Sequence, residues 1–141
     1  MSHQNLLAID IGNSTITFAI LQGNKTIKKG SFNTDKSQGY PYYYQTLLKS
    51  IGRKSLVIIK NVAISSVVPE LDSIFILLCK KLFGVKPFFV NHKNCSLKIR
   101  YSNPSQVGAD RLANSVAGKE LLGCPLIIID FGTAITFDCV N

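Results

Sequence analysis

Two stretches of this chain set the same kinds of side chain in the same order. Asp10-Ile11-Gly12-Asn13-Ser14 closes the first apolar run, and Asp130-Phe131-Gly132-Thr133-Ala134 closes the last. Each delivers a carboxylate at the end of an expected strand, where a divalent cation or its water shell can meet it. The glycine two residues on lets the backbone turn without a Cβ, so amide N–H groups can approach an anion closely. Asn13, Thr133 and the hydroxyls of Ser14 and Thr17 add donors that suit phosphate oxygens. An ordinary β-hairpin, with Asp and Gly as plain turn residues, would read the same way in a single copy. Repetition favours the phosphate reading: an apolar residue precedes each Asp, and strand-like runs (Ile16 to Leu21, Ile135 to Val140) follow.

A third carboxylate, Asp110, stands in Gly108-Ala109-Asp110-Arg111. A carboxylate within hydrogen-bond reach of an attacking hydroxyl can accept its proton as the new bond forms. The forked donors of Arg111 suit the anionic end of a carboxylate substrate. The plainer alternative is an exposed helix ion pair between the two, worth well under about 1 kcal/mol. His3 and His92 have no partner pattern. Cys79, Cys95, Cys124 and Cys139 are scattered without a CxxC pair, which fits reduced thiols better than disulfides or zinc.

The elements that must position these groups read as α/β. Leu6 to Asp10, Thr15 to Leu21 and Thr26 to Phe32 are strand candidates, the last two joined by the tight Gln22-Gly23-Asn24 turn. Tyr40 to Ile51 is expected as a helix ended by Gly52, with Tyr40, Tyr43, Tyr44, Leu47, Leu48 and Ile51 at core spacing. Val57 to Ser65 reads as a strand. Pro69 suits a first helical turn, and Leu71, Ile74, Phe75, Leu78 and Leu82 form one face before Gly84. Ile76, Leu77 and Cys79 widen that face enough for deep burial or an oligomer interface. A short strand at Pro87 to Val90, a helix from Ser105 to Leu122 (Val107, Leu112, Val116 and Leu121 inward) and a buried strand at Pro125 to Asp130 complete the order. That order, β-β-β-α-β-α-β-α and then β-β, is a ribonuclease-H-like unit over residues 1–123, followed at 124–141 by the first two strands of a second copy.

Composition bounds the rest. An apolar share of 46% is ample for a core. No uncharged apolar run reaches the span of about 18 residues that a membrane crossing needs. The N-terminus lacks a basic secretory n-region, so a cytoplasmic location is expected. The net charge of +8 raises nucleic acid as a partner. Lys25, Lys28 and Lys29 read as solvated strand positions, however, and Lys80 and Lys81 suit a helix C-terminus. No basic run is interleaved with aromatics, so nucleic-acid binding is not expected.

Asp10 to Ser14, Ile64-Ser65-Ser66-Val67-Val68-Pro69, Tyr101-Ser102-Asn103-Pro104, Gly108 to Arg111 and Asp130 to Thr133 stand in a characteristic order. Together they resemble type III pantothenate kinase, a family of the actin-like ATPase superfamily. The resemblance implies ATP-dependent phosphorylation of pantothenate to 4′-phosphopantothenate, the first step towards coenzyme A. By resemblance, Asp10, Ile11, Gly12, Asn13, Ser14, Thr15, Ile16, Thr17 and Thr133 would bind the ATP phosphates, with Asp10 directed at magnesium. Tyr101, Gly108, Ala109, Asp110 and Arg111 would line the pantothenate pocket, with Asp110 the proton acceptor. Asp130 would hold a monovalent cation, potassium or ammonium. The resemblance also implies a homodimer in the full-length form.

Ser14 stands where threonine is commoner in the family, and Ser102 replaces a usual acidic residue. The adenosine-binding glycines of the family's second half lie outside these residues, so the 141-residue chain is expected to be inactive alone. The rival reading is a non-catalytic, transcription-accessory regulator. The three matched aspartates argue against it.

Overall fold

In the computed structural model, residues 5–132 and 134–141 are described. The chain packs as two compact units, one ending at Phe89 and one beginning at Val90. This division by packing differs from the repeat in the sequence, whose second copy starts near Gly123.

The first unit is built on a five-stranded sheet in the order β3-β2-β1-β4-β5. Its strands are β1 (Asn5–Ile11), β2 (Thr15–Gln22), β3 (Lys25–Asn33), β4 (Ile59–Ser66) and β5 (Phe88–Phe89). The first three run antiparallel, and β4 pairs parallel to β1 and β5 to β4. That is the ribonuclease-H-like arrangement expected from the order of elements. Alternation along β1 and β2 sends Leu7, Ile9, Ile11, Ile16, Phe18 and Ile20 to one buried face.

Against that face pack α1 (Tyr40–Ile51), through Tyr43, Leu47 and Ile51, and α3 (Pro69–Phe83), through Leu71, Phe75 and Leu78. Pro69 opens α3 as its spacing predicts, with Glu70 and Asp72 in the first turn and Lys80 and Lys81 in the last. Tyr43 is fully buried, and its hydroxyl is satisfied twice by one residue. It donates to the Asp35 carbonyl at 2.8 Å and accepts from the Asp35 amide at 3.0 Å. Burial pushes its pKa upward, and the Asp35 hydrogen bond opposes that. Lys28 departs from the reading of a merely solvated side chain: its Nζ donates to the Ile51 carbonyl at the end of α1, at 2.7 Å. A short helix α2 (Arg53–Leu56), not expected from the sequence, precedes β4.

Both edges of this sheet are blunted. Lys25, Lys28 and Lys29 sit on β3, and β5 is two residues long.

The second unit holds a 3-10 turn at Pro104–Gln106, α4 (Ala109–Leu122), and a two-stranded antiparallel sheet of β6 (Leu126–Phe131) and β7 (Ile135–Val140). Helix and strands approach closely: a Cβ on Gly118 would stand 3.1 Å from Leu126 Cδ1 and 3.0 Å from Ile128 Cδ1. Three expectations fail in this unit. The helix expected from Ser105 begins only at Ala109, after the 3-10 turn at Pro104–Gln106. Leu121 is 80% exposed rather than inward, because the face of α4 that buries residues carries Ala109, Leu112 and Ser115. The strand at Pro125 to Asp130 is not buried either. Helix α4 packs on one side of the hairpin, and Ile127, Ile129 and Phe131 are exposed on the other. Among the described residues, no helix is long and apolar enough to cross a membrane.

Candidate functional site

Each unit carries one of the two Asp-x-Gly hairpins, together with its own set of supports. In the first, Asp10 ends β1 on the face opposite the core and is register partner to Thr17 on β2 and Ser65 on β4. The turn after it is pinned from several sides. The Gly12 amide donates to the Thr15 carbonyl at 3.1 Å, and the Thr34 amide donates to the Ser14 carbonyl at 3.0 Å. Thr34 also donates its hydroxyl to the Gly12 carbonyl at 2.7 Å. A Cβ on Gly12 would meet the Thr15 carbonyl oxygen at 2.9 Å, inside the distance real side chains tolerate. Only glycine lets this loop close as it does.

Asn13, Ser14, Thr15 and Thr17 are exposed, so their side chains can reach a ligand. Ile11 and Ile16 are in the core with no exposed surface, so only their backbone could take part. The Ile11 carbonyl already accepts from the Val67 amide at 3.0 Å. Ser65, beside Asp10 in register, is 8% exposed, and its hydroxyl has no hydrogen-bond partner among the described residues. A buried polar group left so costs stability unless a ligand or water satisfies it. Its neighbour Ser66 is satisfied: Oγ donates to Asp72 Oδ1 at 2.6 Å and accepts from the Val68 amide at 3.2 Å. Burial raises the pKa of Asp72, and the Ser66 bond counters it.

In the second unit, α4 begins after Gly108 and puts Asp110 in its first turn, where the helix dipole favours a carboxylate. Asp110 Oδ1 accepts from the Arg111 amide at 2.8 Å. The Arg111 side chain turns elsewhere, to Asp138 on β7. Nε lies 2.9 Å from Oδ1 and 3.2 Å from Oδ2, and Nη2 lies 2.5 Å from Oδ1. The plain ion pair between Asp110 and Arg111 is therefore not formed. Hydrogen bonding to Asp138 holds the guanidinium's pKa above its ordinary value, against a smaller opposing effect of burial.

Asp130, at the end of β6, accepts from Asn114 Nδ2 at 3.4 Å. It is register partner to Thr136, as Asp10 is to Thr17. Thr133 lies outside the described residues. Tyr101 and Arg111 line a cavity of about 590 Å³, together with Lys98, Arg100, Lys119 and Asp138. Gly108, Ala109 and Asp110 stand next to that lining rather than in it.

The sequence reading missed Thr34, Asn114 and Asp138. Asn114 alone left a usable signal, four residues after Asp110 on one helix and so on the same side.

An Asp-x-Gly hairpin at the rim of a 3-2-1-4-5 sheet, begun again in a second hairpin, gives the chain an actin-like ATPase fold. A solved structure titled as a PilM–PilN type IV pilus biogenesis complex shares this fold. It is alike over 86% of this chain and 46% of its own, with a TM-score of 0.57 at 15% identity. Within that fold class, the chain belongs to the type III pantothenate kinase family, which it matches over residues 6–141. A type III pantothenate kinase of Geotalea uraniireducens is 43% identical over 140 residues, covering 96% of this chain and 54% of the relative. One from Pelobacter propionicus is 41% identical over 140 residues, covering 96% and 55%. The chain thus spans about half the length of the curated relatives it matches.

Proposed function

We propose that the protein carrying this chain transfers the γ-phosphoryl group of ATP to the primary hydroxyl of pantothenate. The family match over residues 6–141 carries the reading. It is supported by the cavity that Tyr101 and Arg111 share, which has the charge a carboxylate substrate requires.

The residues present fit magnesium and ATP. Asp10 offers an exposed carboxylate, the Gly12 turn brings backbone amides forward, and Asn13, Ser14, Thr15 and Thr17 offer exposed polar groups. The orphaned Ser65 hydroxyl next to Asp10 is a further atom that a bound phosphate oxygen or metal-held water would satisfy. When bound, the metal supplies charge neutralisation on the phosphates.

In this reading Asp110 takes the proton of the attacking hydroxyl. Its Oδ1 is held by the Arg111 amide, which leaves Oδ2 for the proton. Arg111 receives the substrate carboxylate, and Tyr101 walls the cavity beside it. Asp130, steadied by Asn114, would coordinate potassium or ammonium. Ile76 and Leu77, exposed on α3, support a homodimer through that helix. Four free thiols support a reducing compartment such as the cytoplasm.

The test is ADP release by the full-length protein with and without pantothenate. Asp110→Asn is expected to lower kcat by about a hundredfold or more, the usual loss for a positioned base. ADP release that ignores pantothenate would overturn the reading.

A further inference from the structure

The fork of Arg111 is already half used before any substrate arrives. Asp138 takes its Nε/Nη2 edge with two short bonds and one of 3.2 Å. Nη2 also makes a long contact of 3.5 Å to the Phe137 carbonyl, and Nη1 has no partner among the described residues. A guanidinium has two edges able to take a carboxylate. Fixing one edge fixes the plane of the other. The Asp138 side chain is 14% exposed, against 28% for Arg111, so the anchor is the more enclosed partner and the fork the more accessible one.

Pairing with Asp138 cancels the charge of Arg111, so a neutral pair alone would not draw an anion. The same cavity is also lined by Lys98, Arg100 and Lys119, which restore a positive field around the pair. Field and orientation are thus supplied by different residues.

We infer that Asp138 is a positioning residue that presets the free Nη1/Nη2 edge of Arg111 for the substrate's carboxylate, and so sets selectivity for an acid over its neutral analogue. The inference rests on the pantothenate reading and deepens it. Asp138 lies at one register step from Phe137 on β7, a strand that also carries Thr136 opposite Asp130. The hairpin that supplies Asp130 therefore supplies the anchor for Arg111 as well.

The experiment compares two acceptors in the full-length protein: pantothenate, and the analogue in which a CH₂OH group replaces its carboxylate. Asp138→Asn keeps the shape but gives up the charge. For pantothenate, KM is expected to rise about ten- to a hundredfold, the range for a charge-assisted hydrogen bond, with kcat much less affected. For the alcohol, KM should stay within about twofold of the parent. Equal losses on both acceptors would mean a merely structural role and would overturn the inference. So would unchanged discrimination.

If Asp138→Asn does not fold, Asp138→Ser gives the same comparison. It removes the carboxylate that anchors Arg111, and a parent-like preference for the acid there would equally defeat the proposal. Failure of the pantothenate reading looks different, because the parent protein would then turn over neither acceptor.

Discussion

The hairpins β1–β2 and β6–β7 share a phrase of sequence and meet opposite circumstances. In both, a row of large apolar residues lies on the face opposite the aspartate; in the second, Leu126 and Ile128 also share the aspartate's face, against α4. In the first, Ile9, Ile11, Ile16 and Phe18 are sealed under α1 and α3. In the second, Ile129, Phe131, Ile135 and Phe137 are exposed, Phe131 by 77% and Phe137 by 62%. The neighbouring elements thus fix which apolar face of a hairpin is covered. The means of support differ as well. A glycine amide closes both loops, Gly12 onto Thr15 and Gly132 onto Ala134; Thr34 clamps the first loop in addition, whereas side chains of α4 hold Asp130 and Asp138. Four residues, Gly12 to Thr15, separate the last paired positions of the first turn, and three, Gly132 to Ala134, those of the second.

The sharpest way to break this contrast uses the matched phenylalanines of Ile16-Thr17-Phe18 and Ile135-Thr136-Phe137. Phe18→Ala should cost about 3–5 kcal/mol in urea denaturation, and Phe137→Ala less than about 1 kcal/mol. Similar losses at both would show that the second hairpin is as well covered as the first.

The two glycines give a smaller contrast. A Cβ on Gly12 would strike backbone at 2.9 Å, while one on Gly132 would sit an ordinary 3.7 Å from the Ala134 carbonyl oxygen. Gly12→Ala is expected to cost about 1–3 kcal/mol, as overpacking does, and to weaken ATP binding. Gly132→Ala should leave the melting temperature within about 2 °C of the parent. A parent-like Gly12→Ala would refute the close turn.

Alkali should single out the first unit. Burial pushes the Cys79 thiol up to about 12 from an ordinary value of 9.0. Above pH 9 the unfolded chain gives up this proton while the folded unit keeps it, so stability falls as pH rises. The slope is up to about 1.4 kcal/mol per pH unit until the folded thiol titrates. The raised pKa of Tyr43 acts in the same direction above 10.0. Hydrogen exchange in β1 and α3, followed from pH 8 to 11 and corrected for intrinsic rate, should show it. A flat profile would count against so buried a thiol.

The smallest effect has an unusual sign. Ser65→Ala removes an unsatisfied buried hydroxyl, so the ligand-free protein should be unchanged or more stable by up to about 1 kcal/mol. ATP affinity should nevertheless drop several-fold. A destabilised variant with parent-like ATP affinity would show that Ser65 has a structural partner instead.

Much of this was legible along the chain because it depends on neighbours in sequence. The Gln22-Gly23-Asn24 turn, the Pro69 start of α3 and the Asp-x-Gly phrases are all set by residues within a few positions. The clamp of Thr34 on Gly12 spans 22 residues, the bond from Lys28 to Ile51 spans 23, and that from Arg111 to Asp138 spans 27. Nothing in local pattern announces such pairs. Leu126 to Ile129 misled for a related reason. Four consecutive aliphatics fit a strand buried on both faces, but burial is settled by what packs there, and Ile127 and Ile129, on the side away from α4, are exposed.

The lysines of β3 and the brevity of β5 also decide how this molecule can grow. A foreign strand seeking backbone partners would meet repelling cations at one end of the large sheet and a two-residue stub at the other. The outer backbone of β6 and of β7 carries no such guard among the described residues, and apolar side chains flank it. A strand brought alongside these residues would therefore find backbone partners at the second hairpin sooner than at the first sheet.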